Sequence, residues 1–338
     1  MKIAAVSSTG STEQSGSQTE PSFRRFPMWN FRPTEYLLAG YLGVIAAVLV
    51  LWGAAVPARW WLVAIHLLLI AGIVWLFWRP PSEASGLRAF LQFWYFLPLT
   101  IFLFKEQALI LTHLRPVDFD QLLINLDAAL FGAHPTVYLE RMVHPLLTEI
   151  LAWAYIMYFF LPVTLGIFLY RSKSHRAFEN AAFAVILSFC ISLVGYLLVP
   201  AIGPRFTLEH LQTVPLHGVF LADAIRDLLN QLEQIQRDCF PSGHTMIALI
   251  SLYYAKKYFP LLGKIYLPVV LALIFSTVYL RYHYAVDVLA GMALAGFCVL
   301  VSELAYGEVR VRISLPRTVR QRLTPASVQR SSAHEIFP

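Results

Sequence analysis

The sequence predicts an all-α, polytopic transmembrane helical bundle of about eight spans, and three observations carry that expectation. Of its 338 residues, 58% are hydrophobic and only 14% charged, against roughly 25% charged in ordinary soluble domains. Eight apolar runs are long enough to cross a hydrocarbon core about 30 Å thick, which takes about 20 helical residues. They cover 36–56, 60–78, 87–104, 149–170, 178–199, 243–259, 262–280 and 285–305. Basic residues, third, divide unequally between alternate connecting segments. A soluble globular domain is excluded, and so is a disulfide scaffold, because three cysteines, Cys190, Cys239 and Cys298, are too few for one.

In chain order, residues 1–33 are rich in Ser, Thr, Gln and Pro and lack the apolar core and cleavage site of a secretory signal, which predicts a disordered polar cytoplasmic tail. Residues 34–104 hold three N-terminal spans, the first two separated only by Pro57 and Arg59. Residues 105–148 are predicted as an extracytoplasmic interfacial segment. Its helical stretch from Asp118 to Met142 carries Leu122, Leu123, Leu126, Leu130 and Phe131 along one side, to lie at the interface or against the bundle. Residues 149–306 supply the remaining five spans as a catalytic membrane core, and 307–338 form a basic cytoplasmic tail.

With the N-terminus inside, 18 of the 26 Lys and Arg residues fall in inside segments; Arg59, Lys105, Arg115, Arg141, Arg205, Arg226, Arg237 and Arg281 fall outside. That bias places both termini in the cytoplasm. Tails and loops facing an anionic leaflet account for the net charge of +6 without a nucleic-acid partner.

Two motifs then open adjacent spans at the outer face. Pro241-Ser242-Gly243-His244-Thr245 begins the sixth run. Pro and Ser are helix-start signals, and a helix N-terminus with its unpaired N–H groups is a ready anion site; by itself the motif is also an ordinary cap. Arg281-Tyr282-His283-Tyr284-Ala285-Val286-Asp287 begins the eighth run. His283 and Asp287 are four apart and share a helix face, so the carboxylate can take one ring N–H and leave the other nitrogen as a nucleophile. Ionisable groups at membrane depth are costly and point to function. His244, His283, Asp287, Arg205 and Arg281 converge on one face, a set suited to a phosphoryl group. Guanidinium and backbone N–H groups hold its oxygens, one imidazole attacks phosphorus and the other protonates the leaving oxygen.

Those residues, in that order and about forty positions apart, resemble the second and third signatures of the type 2 phosphatidic acid phosphatase superfamily, which also contains vanadium haloperoxidases and glucose-6-phosphatase. The resemblance covers about 150–306 and implies a six-helix phosphatase-type core. It also implies His283 as phosphohistidine nucleophile, Asp287 as its partner, His244 as general acid, Ser242 and Gly243 as phosphate-cradling groups, and no metal or cofactor. Two departures stand. Thr277 occupies the place where the third signature usually has arginine, with Arg281 two before His283 instead. The first signature's lysine is missing from Tyr196–Phe206, where Gly203-Pro204-Arg205 supplies only the arginine; Lys105 with Arg115-Pro116 offers both residues at the wrong spacing. Arg205 and Arg281 are therefore the expected phosphate ligands, with Arg115 as an alternative to Arg205. These departures, with Asn125-Leu126-Asp127 upstream, resemble the branch of inositol-phosphorylceramide synthases and their bacterial relatives.

The expected substrate is thus a phospholipid or polyprenyl phosphate, with water or a lipid alcohol as acceptor, at the extracytoplasmic face of a bacterial plasma membrane. The rival from another class is a non-catalytic lipid-binding or transport protein. His66, inside the second run, is expected to be a buried, hydrogen-bonded packing residue, and Asp127 and Glu140 to cap or pair along the interfacial stretch. No metal site is expected, because the His283–Asp287 pair lacks further ligands at convincing spacing.

Overall fold

The computed structural model describes residues 31–78, 85–233 and 237–307. The two tails expected at 1–33 and 307–338 lie almost wholly outside the described residues. Every regular element among the described residues is a helix, one of the two architectures, with the closed β-barrel, whose backbone satisfies its own hydrogen bonds in hydrocarbon.

The first two runs form α1 (Pro33–Trp52) and α2 (Arg59–Phe77), joined by a 3₁₀ turn at Gly53–Ala55. The third expected run, 87–104, is divided and displaced into α3 (Gly86–Trp94) and α4 (Phe96–Leu114). Pro98 has no N–H for the Trp94 carbonyl one turn back, so the helix breaks there. α4 then continues ten residues past the expected end because its polar residues find partners. Glu106 lies 3.1 Å from His66 Nε2, and Gln107 donates to the Leu193 carbonyl at 2.9 Å. His66 is the buried, hydrogen-bonded residue expected, its Nδ1 2.7 Å from the Leu62 carbonyl.

Next come α5 (Asp120–Phe131), ended by Gly132 at φ +67, and the short α6 (Pro135–Tyr138). α5 reverses the expected amphipathic arrangement in part. Leu122, Leu126, Leu130 and Phe131 are exposed, while Leu123, Asp120 and Asp127 are buried. The inward face is set by Asp120, Leu123 and Asp127, three and four residues apart, whose carboxylates find backbone partners in the bundle.

The core follows as α7 (Pro145–Arg171), α8 (His175–Leu198), the one-turn α9 (Pro204–Thr207), α10 (Ala222–Glu233), α11 (Gly243–Tyr258), α12 (Pro260–Tyr279) and α13 (Ala285–Ala305). α8 is a shared wall. Its Phe178, Ala181 and Ala184 join α7, α11, α12 and α13 in one apolar cluster, while Ile186, Cys190 and Leu193 join α1, α2 and α4 in another. Among the described residues seven helices are long and apolar enough to cross a membrane, or eight if the bent pair Asp120–Phe131 and Pro135–Met142 is one span, so the chain is an integral membrane protein. The expected sixth run is not among them: α11 has 16 residues, ten of them buried, and a length of about 24 Å. It is the central helix of the core.

Both described ends of the chain share one end of the bundle. Arg32, before α1, pairs with Glu179 near the start of α8 at 3.1 Å, and Arg176 donates to the Tyr306 carbonyl after α13. α11 and α13 begin at the opposite end, where α8 finishes. Gly195 fixes that junction: a Cβ there would lie 2.2 Å from Pro241 Cδ and 3.2 Å from the Phe240 carbonyl.

Gly195→Ala is therefore expected to lower stability by about 1–3 kcal/mol, read as a reduced Tm in detergent. Gly296→Ala, at a site where a Cβ meets nothing within 4 Å, should be neutral or stabilising because alanine is the better helix former.

Candidate active site

The start of α11 is built by its cap. Ser242, fully buried, accepts the Thr245 N–H at 3.3 Å and the Thr245 hydroxyl at 3.0 Å through its Oγ, which serves one of the helix's orphan donors. Gly243 packs against Tyr196 and Ser192, where a Cβ would stand 3.0 and 3.1 Å from their oxygens. His244, in the first turn, is clasped between two aromatic rings of α7, Tyr155 at 4.5 Å and Tyr158 at 4.2 Å between centroids. Its Nε2 is buried and has no hydrogen-bond partner among the described residues.

The start of α13 faces it. After α12 the Thr277 carbonyl takes the N–H groups of Tyr282 and His283, both at 3.0 Å, and Arg281 passes through φ +66. His283 is thereby turned inward, with its ring centroid 5.7 Å from that of His244 and Nδ1 3.5 Å from Asp287 Oδ2. Asp287 Oδ2 also accepts the Tyr284 N–H at 2.9 Å, so one carboxylate caps its own helix and faces the imidazole. The Ser242 N–H donates to the Asp287 carbonyl at 3.2 Å and links the two helix starts.

α5 holds this assembly from outside. Asp127 accepts the Ala285 and Val286 N–H groups at 3.0 and 2.8 Å, a side-chain cap on α13 supplied from a distant helix. Asp120 accepts the Ile202 and Gly203 N–H groups at 2.9 and 2.8 Å and the Tyr284 hydroxyl at 2.7 Å, which fixes the Gly203-Pro204-Arg205 turn beside the histidine loop. Asp127 is thus a cap, as the sequence suggested, though of α13 instead of its own helix.

The arginines separate. Arg205 bonds the Arg281 carbonyl through its backbone N–H at 3.0 Å. Its guanidinium reaches Asn230 Oδ1 at 2.8 Å and lies 5.0 Å from the Tyr282 ring centroid. Tyr282 stacks on Tyr155 at 4.5 Å, and Tyr155 on His244, so a line of π contacts runs from Arg205 to His244. Arg281 is engaged elsewhere: its guanidinium pairs with Glu140 at 2.8 Å and donates to the Val214 carbonyl at 2.6 Å. Arg115 donates to the Leu198 carbonyl at 3.1 Å, and Lys105 sits on an exposed position of α4.

Several residues of the site carried no motif. Cys239 donates to Asp287 Oδ2 at 2.9 Å and lies 3.7 Å from His283 Nδ1. Burial and the Asp287 charge push its thiol well up, so it stays protonated as a donor. Burial likewise pushes the Asp238 carboxyl up, with the charges of His283 and Arg205 pulling against it. Tyr155 and Tyr158, three apart on α7, had only their helical spacing as a signal.

A family model described as the PAP2 superfamily matches residues 121–301. A PA-phosphatase related-family protein of Dictyostelium discoideum is 30% identical over 107 residues, which is 31% of this chain and 19% of that protein. The match thus spans about a fifth of the length of that curated relative. No solved structure matches the chain.

Asp127→Ala, which removes both bonds to the start of α13, is expected to cost about 0.5–2 kcal/mol, the range for a lost N-cap. Asp127→Asn, which keeps an acceptor, should recover most of it in the same thermal unfolding measurement.

Proposed function

The chain belongs to the PAP2 superfamily, and from that membership we propose that it is a membrane enzyme that breaks a lipid phosphoester through a phosphohistidine. The observation that carries this reading is the meeting of His244 with the His283–Asp287 pair, ring centroids 5.7 Å apart, at the facing N-termini of two helices.

In the proposed reaction Asp287 takes the Nδ1–H of His283, which leaves the Nε2 lone pair free to attack phosphorus. The N–P bond forms as the bond from phosphorus to the lipid oxygen breaks, and protonated His244 gives its proton to that leaving oxygen. The acceptor, water or a lipid alcohol, then attacks phosphorus, gives a proton to His244 and frees His283. Arg205, the Gly243 N–H and the Ser242 hydroxyl, which accepts from Thr245 and keeps its own proton to donate, hold the non-reacting oxygens, with the helix N-terminus adding its dipole. Arg281, bound to Glu140, contributes charge at the rim and the carbonyl that fixes Arg205. The substrate is a phospholipid or polyprenyl phosphate held by the apolar faces around the mouth. Residues 149–306 act as the catalytic core and the segment after α4, 115–148, as its outer brace. We place the site on the extracytoplasmic face: the opposite bundle end carries both described chain ends, and 18 of the 26 basic residues are assigned to segments on that side.

The test uses purified protein in detergent with a panel of phospholipids and polyprenyl phosphates, with and without an added alcohol acceptor, each product identified by mass. Inorganic phosphate marks hydrolysis, and phosphate on the second alcohol marks transfer. His283→Ala should lose at least about 10³-fold in kcat and form no phosphoenzyme, and His244→Ala about 10²–10⁴-fold. Retained turnover in a folded His283→Ala protein overturns the mechanism. Arg205→Ala should lower kcat/KM about 10- to 100-fold, the worth of a charge-assisted hydrogen bond; a silent Arg205→Ala beside an inactive Arg115→Ala would move the phosphate ligand to Arg115.

A further inference from the structure

Cys239, His283 and Asp287 present a thiol, an imidazole nitrogen and a carboxylate oxygen that all lie within 4.8 Å of one another. They come from two segments more than forty residues apart, and all three are buried. The separations are 3.7 Å from Cys239 Sγ to His283 Nδ1, 3.5 Å from His283 Nδ1 to Asp287 Oδ2 and 2.9 Å from Cys239 Sγ to Asp287 Oδ2. A second observation is that the other oxygen of the same carboxylate, Asp287 Oδ1, is buried with no hydrogen-bond partner among the described residues, so the carboxylate has an unused lone-pair face, and a buried charge is normally paired or bound to a metal.

We propose that these three side chains form a binding site for a borderline-soft divalent cation, zinc above all, and that the bound ion switches the enzyme off. Zinc bonds of about 2.3 Å to sulfur and about 2.0–2.2 Å to nitrogen or oxygen make tetrahedral edges of about 3.4–3.6 Å. Two of the three separations already match. The third is short because the thiol proton lies between sulfur and oxygen; with that proton replaced by the ion, the pair opens by about 0.7 Å. The thiolate selects zinc over magnesium or calcium, which prefer all-oxygen sets. The fourth position is left for water.

The chemistry balances without a redox step. Zinc enters, the Cys239 thiol proton leaves to solvent, and the His283 proton moves from Nδ1 to Nε2 as the Nδ1 lone pair binds the metal. A neutral imidazole carries one proton, so Nε2 then has no lone pair with which to attack phosphorus. That loss of turnover rests on the phosphohistidine reading above, whereas the binding itself does not.

The experiment titrates cobalt(II), then zinc, into the full-length detergent-solubilised protein and follows the thiolate-to-cobalt charge-transfer absorption alongside phosphate release. One cobalt per chain with a thiolate band is expected. Zinc should displace it, reduce turnover at least tenfold and be reversed by a chelator, and magnesium should do neither. Cys239→Ser, or Cys239→Ala if the serine variant does not fold, should lose the band, and whatever turnover it keeps should be insensitive to the same zinc. Cys190→Ser and Cys298→Ser should retain both responses. Absence of the band in the unmodified protein, or equal zinc sensitivity after Cys239 is replaced, overturns the site. A cobalt band at Cys239 in a protein that releases no phosphate from any lipid leaves the site standing and removes the reaction.

Discussion

The carboxylate of Asp287 is the group on which the arrangement of the site depends. Its Oδ2 takes the Tyr284 N–H that starts α13 and the Cys239 thiol from the loop before α11, and it faces the imidazole of His283. Its backbone carbonyl takes the Ser242 N–H that starts α11. A fully buried carboxylate is expensive unless its lone pairs are occupied. The two helix starts and the histidine supply much of what occupies them. The spacing between the histidines is therefore fixed by the same contacts that make burial of the charge tolerable.

α5 extends that constraint outward. Asp120 and Asp127 face inward and satisfy four backbone N–H groups and a tyrosine hydroxyl, while the helix shows leucines to the outside. In water such a helix would be inside out. Against a bilayer it would be the stable orientation, because the apolar face would meet lipid while the carboxylates are already paired with buried backbone donors.

Much of this was legible in the sequence because it rests on local chemistry. Apolar runs predict spans, and the Pro241–His244 and Arg281–Asp287 segments carry their helix starts and their histidines together. The failures share a physical cause. The run at 87–104 was read by hydropathy alone, which does not see that Pro98 breaks the helix or that Glu106 and Gln107 are partnered across the bundle. The facing of α5 depends on donors at Ile202, Gly203, Ala285 and Val286, about eighty and a hundred and sixty residues away. Cys239 has no motif of its own and joins His283 only when two distant loops close. Arg281, expected to hold phosphate by its place beside His283, has its guanidinium paired with Glu140, a partner about 140 residues away that no local pattern announces, and this leaves the expectation neither met nor overturned.

The shortness of α11 has a consequence for where chemistry happens. A helix of 16 residues covers about 24 Å, some 6 Å less than a typical hydrocarbon core. With Lys256 and Lys257 held at one boundary, its first turn stops beneath the other. His244, held between Tyr155 and Tyr158, would then lie below the headgroup plane, lined by those rings instead of bulk water. In the proposed reaction a lipid would bring its phosphate down to the histidines without lifting its chains out of the bilayer, and charges would act on it there with less screening than at the surface.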